Sequence, residues 1–405
     1  MSEQNESIRK IATDNLATLY KIEESHTLER FILTSPPTRA IVNQPEIIGA
    51  QFRNALKSGV SSALKLLPHA QEYKDLHDEQ ANVLHFLRGG LNFGLVDALS
   101  DTLGMNTHRS SFVTSERAKD KLGNWFIRED QYFKITLSQN SVIFAGDIVA
   151  TGITIAAGFA KLSEKLLGLP HDQLPQEVRQ HLFHAVGEPT HPIPQKTNAS
   201  IQEIVFFTIG CSKLEETLET YHHLFKKHFK NYKRTTIIYI EGKFHLSTAK
   251  TPITLKIAGT DLLRHPATIT PELFLSQYER LSNPLEACTI YDGGSRSYFA
   301  TKHLKDVHDY WLKLKQLATK ESWTLTQALK ERWPEMALSK DELTTQQWAN
   351  SLWKDIDPSL IKKIQQAYTD RWNDSFREYA NTTDALIQLC NQRIKIIKSL
   401  MLQSQ

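Results

Sequence analysis

The sequence has few cysteines, no long apolar run and no strong excess of charge of one sign. Its three cysteines, Cys211, Cys288 and Cys390, lie far apart in the 405 residues and show no metal-ligand spacing. So sparse a set is typical of proteins that fold without disulfides in a reducing compartment. The net charge of +3 is mild, so it neither requires a nucleic-acid partner nor excludes one.

Features of secreted and membrane proteins are also missing. The N-terminal residues are polar and lack the apolar core of a signal peptide. The longest apolar runs, such as residues 201–209, have the length of a strand. They fall far short of the roughly 20 residues that a membrane span needs. We therefore expect a cytoplasmic protein that contacts no membrane.

Short apolar runs alternate with helical patterns between residues 46 and 240. Strands are predicted at residues 82–87, 110–114, 141–145, 202–209 and 235–240, with helices at 46–67, 93–103, 154–167 and 212–228. Apolar, β-branched strands that alternate with helices predict an α/β fold with a parallel sheet flanked by helices. Ligands of such sheets bind beyond the carboxyl ends of the strands.

The two ends of the chain differ from this centre. We predict a helix over residues 3–24, and residues 1–45 form an N-terminal helical extension to a central domain at 46–299. Six of the seven tryptophans follow residue 300, where helical periodicity replaces strand signals. Residues 300–405 are therefore predicted to form an α-helical C-terminal region. Its tryptophans fit a packed core, with a base-stacking or partner-binding surface as the alternative.

One turn carries the pattern of a phosphate site. A buried strand delivers Asp147, and the next turn, Ala150-Thr151-Gly152-Ile153-Thr154, opens a helix. The unpaired amides of a helix N-terminus bind phosphate well, and the Asp147 carboxylate could accept from ribose hydroxyls. Neither the Walker pattern nor the dinucleotide fingerprint is present. An ordinary threonine-capped turn is the alternative.

A second glycine turn follows an earlier strand. Residues 82–87 lead into Arg88-Gly89-Gly90, before another helix. Paired glycines permit a backbone whose amides point at an anion, although a plain bend would use the same residues.

In order and spacing, these turns resemble type I phosphoribosyltransferases, most closely the uracil phosphoribosyltransferase branch. Asp147 and residues 150–154 are similar to the ribosyl-phosphate motif, with Gly146 in place of its first acid. Arg88-Gly89-Gly90-Leu91 resembles the pyrophosphate turn Arg-Ala-Gly-Leu. Asp292-Gly293-Gly294-Ser295-Arg296 resembles the base-recognition segment, with Ser295 in place of its second acid.

The resemblance implies a pentosyltransferase that moves ribose 5-phosphate from 5-phosphoribosyl-1-pyrophosphate (PRPP) to a nucleobase or base-bearing acceptor, with uracil or another pyrimidine favoured. Magnesium would bind through the donor, and no metal site built from the protein alone is predicted. A homodimer is the habit of the family. The implied donor residues are Arg88, Gly89, Gly90, Asp147, Ala150, Thr151, Gly152, Ile153 and Thr154. The implied catalytic residues are Asp147, Arg117 and Arg128, the two arginines lying in a loop or hairpin that closes over substrate. The implied base-binding residues are Tyr291, Asp292, Gly293, Gly294 and Arg296.

Two alternatives remain open from the sequence. The Gly146 and Ser295 departures are compatible with a regulator that binds PRPP or a nucleotide without turnover, and whose helical tail binds a partner or RNA. An intact donor site could also be combined with a tail that captures RNA or protein acceptors.

Overall fold

The structure is a computed structural model that describes residues 6–24, 26–87, 89–119, 125–169, 173–179, 198–246, 262–286, 300–332, 345–371 and 381–403. Of residues 115–119, 125–131, 262–267, 345–346, 348 and 368–371 it describes the backbone alone.

Strands make up much of the first 270 residues. They are β1 (Ile8–Thr13), β2 (Thr18–Ile22), β3 (Glu29–Thr34), β4 (Ala81–Phe86), β5 (Arg109–Lys119), β6 (Trp125–Lys134), β7 (Ser141–Val149), β8 (Ile201–Cys211), β9 (Arg234–Leu246), β10 (Leu262–Ile269) and the short β11 (Trp353–Lys354).

Helices lie between the strands and dominate the C-terminal part. They are α1 (Pro36–Asn43), α2 (Gly49–Leu66), α3 (Ala70–Lys74), α4 (Leu95–Leu103), α5 (Ile153–Leu167), α6 (Gln176–Arg179), α7 (Lys213–His228), α8 (Pro271–Ser276), α9 (Ser282–Leu285), α10 (Ala300–Glu321), α11 (Leu325–Arg332), α12 (Thr345–Leu352), α13 (Pro358–Arg371) and α14 (Thr383–Gln403). None of these helices is long and apolar enough to cross a membrane.

The chain divides into two compact units, and the division falls within β3 and β9. One unit consists of Ser25–Phe31 and Val60–Tyr239. Its strand order is β9-β8-β7-β4-β5-β6, in which β8, β7, β4 and β5 are parallel and β6 is antiparallel to β5. All six residues of β4 are buried, as expected for a parallel strand covered on both faces. The predicted α/β fold with a mostly parallel sheet is confirmed, with β6 as an antiparallel addition.

The other unit consists of Met1–Glu24, Ile32–Gly59 and Ile240–Gln405. Its strand order is β11-β1-β2-β3-β9, with β10 paired to β9. The predicted domain boundaries at residues 45 and 299 stay a prediction, because these units combine segments from different parts of the chain.

The helix predicted for residues 3–24 is wrong, because β1 and β2 form an antiparallel pair there. The turn between them is fixed by Asp14, whose Oδ1 accepts from the backbone N–H groups of Leu16 (2.7 Å) and Ala17 (2.8 Å). Aspartate favours this local bonding over a helix interior. The next strand buries Leu19, Tyr20 and Ile22, of which the aromatic Tyr20 and the β-branched Ile22 suit a half-buried pleated surface.

Residues 300–405 are largely helical as predicted where they are described, but strand signals do not vanish there. β11 pairs in parallel with β1. Trp353 of β11 is buried and its Nε1 donates to the Ile269 carbonyl at 2.9 Å. Trp311 is also buried, so both of these tryptophans are packed core as predicted. Trp333 and Trp372 lie outside the described residues.

A buried ion pair fixes the C-terminal helix α14. Arg393 donates to both Glu286 carboxylate oxygens at 2.7 and 2.9 Å and to Glu46 at 3.1 Å. The Trp311 indole N–H also donates to Glu286, at 2.6 Å. Desolvation by burial raises the pKa of Glu286 to about 7. Such a charge cluster is stable only while every member keeps its partner.

A second buried carboxylate lies in β9. Glu241 has a positive φ of 66° and is fully buried. Its carboxylate accepts from the Ser35 backbone N–H at 3.0 Å and from the hydroxyls of Thr34 and Thr38. Burial raises the pKa of Glu241 to about 7. A non-glycine residue in this backbone region costs about 1–3 kcal/mol, which these hydrogen bonds offset.

Candidate functional site

The two glycine turns singled out from the sequence lie at the carboxyl ends of neighbouring strands. β4 and β7 are parallel, with Leu84 paired to Ala145. A short 3₁₀ helix, Gly89–Phe93, follows β4, and the turn into α5 follows β7. This edge is where open α/β sheets bind ligands. The parallel register therefore brings together two turns that are about 60 residues apart in the sequence.

Glycines allow the two turns to touch. A Cβ on Gly89 would lie 2.2 Å from Oδ1 of Asp147, and a Cβ on Gly90 would lie 2.9 Å from the carbonyl oxygen of Gly146. A side chain at residue 90 would meet backbone, which cannot move aside cheaply. The spacing of the turns thus depends on the glycines that the sequence provides. Arg88, predicted to bind pyrophosphate, lies outside the described residues.

Asp147 stands at the contact between the turns. Its Oδ1 accepts from the Ile148 backbone N–H at 2.9 Å, and its carbonyl oxygen accepts from the Thr208 hydroxyl at 2.9 Å. The residue is half-buried. The neighbouring strand β8 and the local backbone therefore hold both the main chain and the carboxylate of Asp147 in place.

The turn after β7 leaves the N-terminus of α5 without a side-chain cap. Gly152 is the N-cap residue, with φ of 74°, and the first turn of α5 contains no acidic residue. A β-carbon at this φ would be strained, so glycine is required. Helix amides that no side chain satisfies, with no carboxylate nearby in the same turn, are suited to an anion.

Other groups of the turn point to the same use. The Thr151 hydroxyl oxygen is buried without a hydrogen-bond partner among the described residues. The Ala150 carbonyl accepts from the Cys211 thiol at 3.1 Å, which ties the turn to the end of β8. Ile153 and Thr154, the remaining predicted phosphate residues, form the start of α5. The phosphate-binding role of these five consecutive residues stays a prediction.

A cavity of about 310 Å³ borders this turn on the side of α7. Its lining residues are Thr151, Gly152, Ile153, Ala156, Glu177, Lys213, Glu216, Thr217, Thr220 and Tyr221. The volume is at the lower end of the range of small-molecule sites. The opening is therefore of a suitable size for a small phosphorylated molecule.

Lys213, in the first turn of α7, is a cavity residue that the sequence analysis missed. Its ammonium pairs with Glu216 at 2.6 Å, and both side chains are exposed. Thr217, whose hydroxyl donates to the Lys213 carbonyl at 2.8 Å, would lie 3.1 Å from a Cβ on Gly152. A signal existed, because Lys213 follows β8 at the same sheet edge as Asp147.

For several predicted site residues, the structure does not describe the side chains. Arg117 and Arg128 lie on the antiparallel strands β5 and β6. The loop or hairpin predicted there is therefore a hairpin. The structure does not describe the side chains of these two arginines. The base-binding residues Tyr291, Asp292, Gly293, Gly294 and Arg296 lie outside the described residues. Their assignments stay predictions.

The described residues fit magnesium held mainly by a substrate. In this part of the chain, no group of three or more His, Cys, Asp or Glu side chains could hold a metal ion. Asp147 brings one carboxylate to the contact of the two turns. Magnesium usually takes one or two carboxylates together with phosphate oxygens and water, and this donor set is consistent with that habit.

The resembled motif has an acid where this chain has Gly146, and the packing around residue 146 explains the glycine. A Cβ at this position would lie 2.8 Å from Cγ and 3.1 Å from Cδ1 of Phe93. The Phe93 ring is fully buried, so it has no open space to move into. The packing of Phe93 therefore excludes a side chain at residue 146.

No protein-family model matches the chain, and no curated protein matches it. Solved structures similar to part of it include two adenine phosphoribosyltransferases. One, from Trypanosoma brucei in complex with AMP, pyrophosphate and ribose-5-phosphate, is 11% identical, with 52% of this chain and 83% of that chain covered and a TM-score of 0.27. The other, from Leishmania donovani, is 14% identical, with coverage of 54% and 86% and a TM-score of 0.28. TM-scores this low add no weight to the geometry.

Proposed function

We propose that this chain is a phosphoribosyltransferase that moves ribose 5-phosphate from PRPP to a ring nitrogen of a nucleobase and releases pyrophosphate. The observation that carries the proposal is the contact between the Gly89–Gly90 turn and Asp147 at the carboxyl ends of β4 and β7. Two anion-binding turns that meet in this way suit a donor with phosphate groups at both ends of a ribose. Uracil or another pyrimidine is the favoured acceptor, from the sequence resemblance alone.

Each end of the donor has assigned residues. The 5-phosphate binds at residues 150–154, where the uncapped α5 amides and the Thr151 hydroxyl are donors. The Lys213 ammonium lines the adjoining cavity, where it pairs with Glu216. Asp147 accepts from the ribose hydroxyls, and the turn at 88–90 receives the pyrophosphate. On this proposal residues 46–299 form the transferase domain.

Positioning and electrostatic stabilisation supply the rate enhancement, because a leaving pyrophosphate and a ring nitrogen need no covalent protein intermediate. Asp147 orients the sugar, and the turns fix both phosphate groups. Arg117 and Arg128, on the β5–β6 hairpin, neutralise the departing pyrophosphate when the hairpin covers the site and excludes water. Asp147 is the residue that would hold magnesium carried by the donor, and the metal would then supply further neutralisation of charge.

A regulator that binds PRPP without turnover is the second candidate. The observation in its favour is the packing of Phe93 against Gly146, which removes one of the two acids of the resembled motif. The candidates differ in turnover and agree on the donor site.

The test is titration of the protein with PRPP and magnesium by calorimetry, followed by a pyrophosphate-release assay with a panel of bases. Asp147→Asn keeps the oxygen that accepts from Ile148 but removes the charge. We expect donor affinity to fall about 10- to 150-fold, since hydrogen bonds to a charged group contribute about 1.5–3 kcal/mol.

The matched control is Glu79→Gln, an exposed carboxylate before β4, paired with Arg109, which should bind donor normally. Base-dependent pyrophosphate release supports the transferase, whereas tight binding without release supports the regulator. Unchanged donor affinity in Asp147→Asn contradicts the assigned pocket in both cases.

A further inference from the structure

The cavity beside the phosphate turn begins where the proposed donor ends. On the proposed function, Asp147 and the turn at 88–90 hold the ribose and the pyrophosphate, and neither Asp147, Gly89 nor Gly90 is among the cavity's lining residues. Residues 151–153 belong to the phosphate turn and also form one wall of the cavity. A phosphate held by this turn therefore has the ribose on one side and the cavity on the other.

The opposite wall of the cavity is one face of α7. Its lining residues there include Lys213, Glu216, Thr217 and Thr220, a spacing of three, four and seven residues that places side chains on the same side of a helix. The cavity volume of about 310 Å³ is enough for a small organic group, and a single phosphate needs much less. The cavity therefore has room for a substituent beyond the phosphate.

The charges of the lining do not suit a second anionic group. Among the described lining residues the only cation is Lys213, and its ammonium pairs with Glu216 at 2.6 Å. Glu177 brings another carboxylate to the lining. Carboxylates repel an anion, but they accept hydrogen bonds. A neutral or cationic group that donates hydrogen bonds fits this lining.

The hydroxyl groups of the α7 wall also act as acceptors. The Thr217 hydroxyl donates to the Lys213 carbonyl at 2.8 Å, and the Tyr221 hydroxyl donates to the Ala156 carbonyl at 2.6 Å. The Thr220 hydroxyl donates to the Glu216 carbonyl at 3.4 Å. Each hydroxyl has a single hydrogen, so these three oxygens offer only lone pairs to a ligand. The ligand group must therefore supply the hydrogens.

We propose that the 5-phosphate held at residues 150–154 can carry an ester substituent, and that the cavity binds this substituent through its hydroxyl or amino groups. The ligand class of the site then extends from PRPP to ribose 5-phosphodiesters. A diester has less negative charge than a terminal phosphate, which suits a turn that offers backbone amides and the Thr151 hydroxyl. The inference rests on the proposed function, because it takes residues 150–154 as the 5-phosphate site.

The test compares three compounds by calorimetry on the wild-type protein: ribose 5-phosphate, its 2-hydroxyethyl ester and its propyl ester. The two esters match in size and differ in the terminal hydroxyl. We expect the hydroxyethyl ester to bind at least as tightly as ribose 5-phosphate. It should bind about tenfold more tightly than the propyl ester, which is the effect of one hydrogen bond to a charged acceptor.

A substitution on α7 tests where the ester group lies. Thr220→Trp fills the cavity from the α7 wall, so the affinity for the hydroxyethyl ester should fall about tenfold, whereas the affinity for ribose 5-phosphate should not change. The matched control is His223→Trp. His223 is an exposed residue of the same helix that is not among the cavity's lining residues, and its replacement should change neither affinity.

Two esters that bind alike overturn the inference, as does a hydroxyethyl ester that binds more weakly than ribose 5-phosphate. A folded Thr220→Trp protein that still binds the hydroxyethyl ester normally also overturns it. The comparison of ligands on the wild-type protein stands even if this variant does not fold.

PRPP and ribose 5-phosphate separate this inference from the proposed function. If the wild-type protein binds neither of them, the assigned donor site itself is wrong. If it binds both and rejects the esters, the donor site stands and only the role given to the cavity is wrong.

Discussion

Replacement of Gly146 by alanine tests directly whether the two turns are locked together by packing. The new methyl carbon would lie 2.8 Å from Cγ of Phe93, roughly 1 Å closer than carbon atoms normally approach. Phe93 is fully buried, so relief requires a shift of the ring or of the strand end.

The expected cost follows from two opposing effects. Overpacking of a filled core costs about 1–3 kcal/mol. Replacing glycine by alanine also lowers the conformational entropy of the unfolded chain, which stabilises the folded protein by about 0.4–1 kcal/mol. We therefore expect Gly146→Ala to lower the free energy of unfolding by about 1–2 kcal/mol.

A double-mutant cycle measured by urea denaturation distinguishes this contact from a general loss of stability. Phe93→Ala alone should cost about 3–5 kcal/mol, because it empties a buried site. In the Gly146→Ala background it should cost about 1–2 kcal/mol less, because the short contact with Cγ disappears. Additive effects of the two substitutions would show that residues 93 and 146 do not compete for space.

Two further substitutions test the buried carboxylates of the other unit. The folded-state pKa of Glu241, about 7, exceeds its ordinary value, so its contribution to stability is fully present below about pH 4.3 and is lost as the pH rises through 7. Urea denaturation from pH 5 to 8 should therefore show a decline of about 3 kcal/mol from this group, absent in Glu241→Gln. An equal decline in the variant would assign the pH dependence to other groups. Arg393→Met leaves the Glu286 charge buried and should lower the free energy of unfolding by about 3–5 kcal/mol. Arg9→Met, which breaks an exposed ion pair, should cost under about 1 kcal/mol. Similar thermal unfolding of the two variants would mean that Glu286 finds another partner or takes up a proton.

The two turns of the candidate site could be recognised in the sequence because their pattern is local. A strand, an acid and a glycine turn before a helix are consecutive in the sequence, so Asp147 and residues 150–154 could be read without knowledge of the fold. Phe93 could not, because its role depends on which side chains meet between neighbouring strands. The position of Lys213 after β8 is a signal, but it becomes informative only once the strand order is known. The absence of a side chain at residue 146 is explained only by the position of the Phe93 ring in the fold.

The strands of the N-terminal segment could not be predicted from the sequence of that segment alone. Residues 8–22 contain apolar positions that fit a helical spacing as well as a strand, and such short segments are ambiguous. The bonds of Asp14 to Leu16 and Ala17 favour a turn, and pairing with β11, from a distant part of the chain, provides a partner for β1. No pattern within the segment itself reveals a two-residue strand more than 300 residues away.

The C-terminal helices bear on the choice between the two candidate functions. A regulator whose tail delivers an output needs a tail that can engage a partner without taking apart its own fold. Here the Trp353 indole bonds to Ile269, and Arg393 neutralises a buried carboxylate at Glu286. Both contacts tie the tail to earlier segments of the same unit. Releasing α14 would take Arg393 away from the buried Glu286 carboxylate, and loss of one partner from a buried ion pair costs several kcal/mol. The described helices of the tail are thus packed into the core of this unit, which favours a structural role for them.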